Sequence, residues 1–572
     1  MASSNKMFQY QELCLGEFRL LRVHPKKMST ISCEMFHAPL VNAPPYIAIS
    51  YTWGDPRVTR LIRVGAVELA VTTSLYGALD ALRSPQEPVT LWADALCINQ
   101  QDLEERSSQV KEMARIYANA VSVAVWLGPE ADGSALAVQL LERVVKGSYD
   151  QHGHMKKEKE VSRLLNNYRQ VAALVTLFER PYFARLWVVQ EILNAATVNV
   201  YCGSSTLPWK VYKDANNVFR KYESFMARRF IDTSRTTQRS FSDVLAWCGP
   251  GSFPDPEGLK RGLLWVLRTC REKLASDPRD KVFGILGVCS GIPTELSPDY
   301  TRPVREVYVD VVDYLLATTK RLDVVCEAIR NPNAATDLPS WVPDWSHLPP
   351  TSSLGLSYKF DATPGTEVQY AFSDERRRLT IDALILGTIT DHSVPVGVVC
   401  RPDDFLMGFI HSRAMLARRG LAGTHEALCN ALCLGQVPYE YESGWQASCY
   451  EAFSLKLQEH LPTIQVDNEL QSYRRTTGVR MTGESQDRIV QDVCGKRMMG
   501  RCVCIIAEDI IGMGTGFMGP GDTVVIPLGC YTPVVLRRCG PSWRFIGDVF
   551  VNGYMSGEIL RHGKKTGKFE LC

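Results

Sequence analysis

Long apolar runs are missing from this chain. No stretch of about 18 consecutive hydrophobic residues occurs in its 572 residues, which argues against a membrane-spanning helix. The opening MASSNKMFQYQELCLGEFRL lacks the continuous apolar segment of a secretory leader, so the expected setting is the cytoplasm. Net charge is small. Lys plus Arg number 64 against 62 Asp plus Glu, a formal +2, and that balance gives no global reason to expect a nucleic-acid partner. Internal repeats are absent. So are the phosphate loop GxxxxGK[ST], a GxGxxG opening the first helix, and HExxH. Gly483-Glu484-Ser485 lacks the elbow context of a serine nucleophile. Eighteen cysteines make up only about 3% of the chain, too sparse for a disulfide framework in a reducing compartment. Cys502 and Cys504 lie two apart, on one face of a strand, without metal-ligating neighbours. No metal is expected.

What remains is a folded composition, 45% hydrophobic and 22% charged, long enough for about three units at 100–200 residues each. Tyr46–Tyr51 is a short apolar run closed by Gly54-Asp55-Pro56, which predicts a buried strand feeding a turn. Leu61–Leu69 predicts an edge strand. Leu75, Ala78, Leu79 and Leu82 form one helical stripe behind a threonine cap. Val89–Asp94 predicts the next strand. Asp102 and Glu105 have capping-box spacing ahead of a helix carrying Val110, Met113, Ala114 and Tyr117. Val121–Leu127 is another strand. Strand and helix alternating in this way predict an α/β unit with a mainly parallel sheet. Pro181 then opens a helix that places Trp187 and Glu191 on one face.

Several segments together resemble the heterokaryon-incompatibility (HET) domain of filamentous fungi. They are YIAISYTWGDP at 46–56, LWADALCINQQDLEERSSQVKEMARIYANAVSVAVWLG at 91–128 and YFARLWVVQEILNAATVNVYCG at 182–203. Similar segments continue through SDPRDKVFGILGV at 276–288 and LPSWVPDWS at 338–346, then GTGFMGPGDTVVIPLG at 514–529. The resemblance implies a trigger of regulated cell death in non-self recognition. It implies self-association on activation, and another incompatibility protein as a further partner. HET domains in turn distantly resemble Toll/interleukin-1 receptor (TIR) domains, implying a TIR- or flavodoxin-like parallel sheet with an insertion at about 131–180. Some TIR domains cleave NAD with a glutamate four residues after a helix-opening tryptophan, and Trp187 and Glu191 resemble that pair.

The resemblance makes Glu191 the candidate catalytic carboxylate and NAD a candidate substrate rather than a resident cofactor. Scission of the nicotinamide–ribose bond develops positive charge on the ribose, which a carboxylate stabilises. Tyr51, Trp53 and Asp55 follow the first parallel strand, where such sheets place ligand crevices. Asp94 and Asn99 follow the next one, and Trp187 offers a stacking wall. Each has a plain alternative. Asp55 suits a turn, Trp53 the core, Asn99 a loop brace. Asp94 either fastens the following loop, with Arg106 or loop amides as partners, or meets a ligand. Asp280, in DPRDK, is expected to brace Arg279 or a helix start. A non-catalytic interaction module and an accessory role in specialised metabolism stay open.

The predicted organisation is an N-terminal extension at 1–45 and the HET unit at 46–203. A helical region at 204–352 follows, then a mixed region with a helical insertion at 353–488. A β-rich domain at 489–572 ends the chain, in which 497–508 and 522–528 pair.

Overall fold

The computed structural model describes residues 8–26, 30–149, 154–156, 158–230, 239–349, 351–355, 359–397, 402–421, 424–473, 481–562 and 565–572. The chain divides into two units, Met1–Val307 and Tyr308–Cys572.

The first unit is built on a nine-stranded sheet. Its strands are β1 (Glu17–Val23), β2 (Ser32–Pro39), β3 (Ile47–Tyr51), β4 (Thr59–Val64), β5 (Val67–Thr72), β6 (Val89–Trp92), β7 (Ser122–Trp126), β8 (Val198–Cys202) and β9 (Ser205–Pro208). They run in the order β5-β4-β2-β1-β6-β3-β7-β8-β9. The four central strands β6-β3-β7-β8 are parallel. Counted in chain order these four read 2-1-3-4; in open α/β sheets of parallel strands, ligand crevices form outside the carboxyl ends of the strands. Nearly every residue of β3 and β7 is buried, as strands covered on both faces require.

Several features depart from the sequence expectation. The segment expected as an extension supplies β1 and β2, an antiparallel pair that joins the sheet beside β6. The expected edge strand at 61–69 is a hairpin, β4 and β5, turning at Gly65 with φ 59°. The N-terminal strand is tied in by Arg19, whose guanidinium, 1% exposed, grips Glu105 at 2.6 and 2.9 Å. That bond corrects the expected capping box. Asp102 does accept from the amides of Glu104 and Glu105, at 3.0 Å each. Glu105, however, turns to Arg19 and to the amide of Asn99 at 2.7 Å.

Helices α1 (Thr73–Leu82), α2 (Asp94–Cys97) and α3 (Leu103–Asn119) connect the early strands. α1 is capped by Thr72 and buries Leu75, Ala78 and Leu79. Between β7 and β8 lie α4 (Ser134–Ser148), α5 (Glu158–Leu164), α6 (Tyr168–Phe178), α7 (Pro181–Ala184) and α8 (Val188–Leu193). The single helix expected from Pro181 is therefore two short ones. Arg185 is extended, and the chain there pairs with Leu274. The Leu186 amide donates to the Leu274 carbonyl at 2.9 Å, and the Leu274 amide to the Ala184 carbonyl at 2.6 Å. Bonds to a distant strap replace the helical ones, and the helix restarts at Trp187.

The second unit is a mostly antiparallel β structure with helices. Strands β10 (Tyr370–Ser373), β11 (Arg378–His392), β12 (Arg501–Ile506), β13 (Ile510–Thr515), β14 (Thr523–Pro527), β15 (Val534–Cys539), β16 (Ser542–Val551) and β17 (Thr566–Leu571) form its sheet. β11 pairs with β12 along one side and with β14 along the other, closing a ring through β13, β16 and β15. The expected pairing of 497–508 with 522–528 is thus mediated by β11, which lies between them. Closure leaves no open edge among the ring strands. Cys502, Cys504, Val524, Ile526, Val535 and Val549 fill one cluster. Val503, Ile505, Ile511 and Met513 point the other way, into a helical core with Phe409, Tyr450 and Phe453, the alternation a strand imposes. Opposite Cys504, a Cβ on Gly512 would lie 2.7 Å from the Phe550 carbonyl oxygen. The described cysteines are free thiols. Trp341 and Trp345 are buried. Among the described residues no helix is long and apolar enough to cross a membrane.

Candidate functional site

A cavity of about 560 Å³ opens at the carboxyl ends of β3 and β6. Trp53 and Gly54 come to it from the turn after β3, Asp94 from the start of α2, and Arg106 from α3. Arg185 and Trp187 come from the break between α7 and α8. A second cavity, about 760 Å³, lies on the other side of Trp53 and holds Tyr10, Tyr51 and Asn99. Trp53, 42% exposed, walls both.

The sequence candidates therefore separate. Trp53, Asp94 and Trp187 meet in the first cavity. Tyr51 and Asn99 face the second. The Tyr51 hydroxyl is buried without a well-aligned hydrogen-bond partner, and burial, then the Asp94 charge, raises its pKa well above the usual value. Asn99 braces its loop, accepting from the Gln101 amide at 3.3 Å. Asp55 lines neither cavity. It is exposed and pairs with Arg57 at 2.7 Å, the turn role open to it from sequence. Asp94 accepts from the Trp53 indole and from the Ala95 amide, at 2.8 Å each. Of the partners expected for it, the loop amide is present. Arg106 instead approaches Asp280, at 4.0 Å.

Glu191 lies beneath the cavity rather than on its wall. Its carboxyl is 1% exposed, so it is no surface glutamate. The Ser50 hydroxyl donates to one of its oxygens, and the Tyr182 hydroxyl lies 2.7 Å from that of Ser50. The other oxygen is 3.9 Å from the Arg185 guanidinium. Arg185 lines the cavity and also donates to the Tyr51 carbonyl. It is the link between the cavity and the buried acid. Loss of hydration on burial outweighs the Arg185 charge and the Ser50 bond, pushing the Glu191 pKa up to about 7.

Sequence reasoning missed the far wall. Leu274, Ser276, Asp280 and Tyr300 line the same cavity, from a part of the chain expected to be a separate helical region. Asp280 does not brace Arg279, which pairs with Asp277 at 2.7 Å. It turns inward, accepting from the Tyr300 hydroxyl at 2.6 Å and the Trp187 indole at 3.2 Å. Burial raises its pKa, opposed by those bonds and by Arg106. The strap carrying it is clamped by buried Lys273, whose ammonium donates to the Phe183 carbonyl at 2.9 Å. The signal in the sequence was the DPRDK knot, whose two aspartates have opposite fates.

Comparison with known proteins finds two family matches along the chain. The family model described as heterokaryon incompatibility protein (HET) matches residues 46–191. The model described as Het-6 beta-barrel domain matches residues 450–571, a range that omits β11, the strand closing the ring. The chain is 26% identical to heterokaryon incompatibility protein 6, OR allele, of Neurospora crassa, with 97% of each chain covered. No solved structure matches. The chain thus matches the HET domain and the Het-6 β-barrel domain in the same order along its length, and is similar from end to end to a fungal heterokaryon-incompatibility protein.

Proposed function

We propose that this protein is a death-inducing effector of non-self recognition, and that its HET unit cleaves NAD at the nicotinamide–ribose bond when the protein self-associates. The observation carrying this reading is Glu191: a buried carboxyl with its pKa near 7, one side chain away from an open cavity at the sheet's carboxyl edge. The 2-1-3-4 order of the parallel strands and the Trp187–Glu191 spacing support the likeness to NAD-cleaving TIR domains. In the reaction the C–N bond to nicotinamide breaks, and its electron pair leaves with the neutral ring. The ribose carries oxocarbenium character, stabilised by the ionised Glu191. Water adds to the anomeric carbon and releases a proton, giving ADP-ribose. An acid desolvated in this way is stabilised by a cation forming beside it. Arg185 stands between Glu191 and the cavity, so the resting unit is latched and the side chain must move before the carboxylate meets the ribose.

A second reading has its own observation. Glu191 does not line the cavity, which suits a non-catalytic module in which it serves only as the counter-ion of Arg185. Nicotinamide release by purified protein, measured across protein concentrations and beside Glu191→Gln, separates the two. Release that rises with self-association and is lost in the folded variant supports NAD cleavage. No release from a verified assembly discards it and leaves the binding module.

A further inference from the structure

We infer that the cavity holds its ligand by a phosphate or pyrophosphate group, gripped by Arg106 and Arg185; the inference rests on reading the cavity as a nucleotide-processing site. The argument is the way the charges on its wall are partitioned. Two carboxylates and two guanidiniums face the cavity, yet they do not neutralise one another at hydrogen-bonding distance. Asp94 is taken by the Trp53 indole and the Ala95 amide, both at 2.8 Å. Asp280 is taken by the Tyr300 hydroxyl at 2.6 Å and the Trp187 indole at 3.2 Å. Neutral donors satisfy both acids.

The guanidiniums are left with loose counter-ions. Arg106 comes no nearer to Asp280 than 4.0 Å, and Arg185 no nearer to Glu191 than 3.9 Å. A charge-assisted N–H···O bond is about 2.7–2.9 Å long, so both pairs are about 1 Å too wide to be hydrogen bonds. Arg106 is also held over a ring: its guanidinium carbon lies 3.8 Å from the centre of the Tyr300 ring. Stacking fixes the plane of a planar fork while leaving its edge N–H groups free for an incoming acceptor. Two guanidinium forks, one over a ring and one bonded to the Tyr51 carbonyl, beside two indoles suit a phosphate joined to a flat ring. Arg185 is shared between this grip and Glu191. A phosphate that draws Arg185 into the cavity also uncovers the carboxylate, so the ligand itself would open the latch.

The test uses the full chain and the fluorescence of Trp53 and Trp187, titrated with ADP-ribose, adenosine and inorganic pyrophosphate. ADP-ribose is expected to bind at least about tenfold more tightly than adenosine. Arg106→Gln should cost ADP-ribose about tenfold, as loss of charge-assisted bonds does, and leave adenosine unchanged. Arg106→Lys, which keeps the charge but loses the fork and the stack, should fall between. Arg115→Gln removes an exposed arginine of the same helix paired with Glu112, and should behave as wild type. Pyrophosphate binding as tight as ADP-ribose supports the grip with free phosphate as its source; weaker pyrophosphate supports it with a nucleotide. Equal affinity for adenosine and ADP-ribose, or no saturable response to either, overturns the inference whatever the cleavage assay gives. Arg106-dependent binding of ADP-ribose without nicotinamide release leaves the grip standing and overturns the proposed reaction instead.

Discussion

Burying Glu191 makes the stability of the first unit depend on pH in a direction that can be stated. A carboxyl with a folded pKa of about 7 and an ordinary value of 4.5 binds its proton more tightly in the folded state than in the unfolded one. Below pH 4.5 both states are protonated and burial carries no charge penalty. Between 4.5 and 7 the unfolded chain has released the proton while the folded chain keeps it, so stability falls as pH rises. Above 7 the deficit is constant. The shift of about 2.5 units, at about 1.4 kcal/mol each, amounts to about 3 kcal/mol. Glu191→Gln resembles the neutral acid at every pH and does not suffer this loss. Both proteins would be melted at a series of pH values from 4 to 8.5. The difference between variant and wild type should drift in favour of the variant by about 3 kcal/mol across that range. For a unit of residues 1–307 that is about 5 °C in Tm. Comparing the two proteins cancels the other titrating groups, and the constant cost of altering the Arg185 pair drops out of the slope. Curves that run parallel from pH 4 to 8.5 would refute the reasoning, because Glu191 would then be held ionised by Arg185 and Ser50 against its burial.

Other consequences are as direct. Glu105→Gln removes the counter-ion of buried Arg19 and should destabilise the first unit by about 3–5 kcal/mol in thermal unfolding, the cost of leaving a buried charge unpaired. Asp102→Ala deletes the acceptor of two first-turn amides and should cost only about 1 kcal/mol. Gly512→Ala forces a methyl to 2.7 Å from the Phe550 carbonyl. It should lower the melting temperature of the second unit while a surface change at exposed Tyr439 does not. Nicotinamide release, where it occurs, requires ionised Glu191 and so should climb with pH through about 7, with Glu191→Gln flat at background in the same pH series.

The parallel core was legible because its signal is local. A short apolar run with a turn after it is a buried strand wherever it occurs, and β3, β6 and β7 each announce themselves in this way. The stripe of α1 and the Asp102 cap belong to the same class of one-turn geometry. What was not legible depends on partners far along the chain. The capping-box pattern at 102–105 is satisfied on one side only, because Arg19, 86 residues away, offers Glu105 a stronger bond than the amide it could have reached. The helix from Pro181 breaks at Arg185 because Leu274 takes over its backbone bonds. That β11 is one long strand serving both β12 and β14 depends on the positions of those two strands, more than 100 residues further on. Of the seven site residues that the sequence suggested, those that reach the first cavity, Trp53, Asp94 and Trp187, sit within one or two residues of a strand or helix end.

The far wall of the cavity bears on what counts as the functional unit. The HET model ends at residue 191, yet the indole of Trp187 within it donates to Asp280, and Arg106 stacks on Tyr300. The break that turns Arg185 toward the cavity exists because residue 274 is there to accept and donate the backbone bonds. Lys273 and Lys281 then fix that strap through backbone carbonyls of Phe183 and Arg271, each at 2.9 Å. Without the strap the backbone bonds of Ala184 and Leu186 to Leu274 would be lost, and with them the cavity wall that Leu274, Ser276 and Asp280 supply. The segment after the named domain therefore lines the same cavity as Trp53, Asp94 and Trp187, and on the proposed reading a movement of the strap would move Arg185 and with it the charge beside the buried acid.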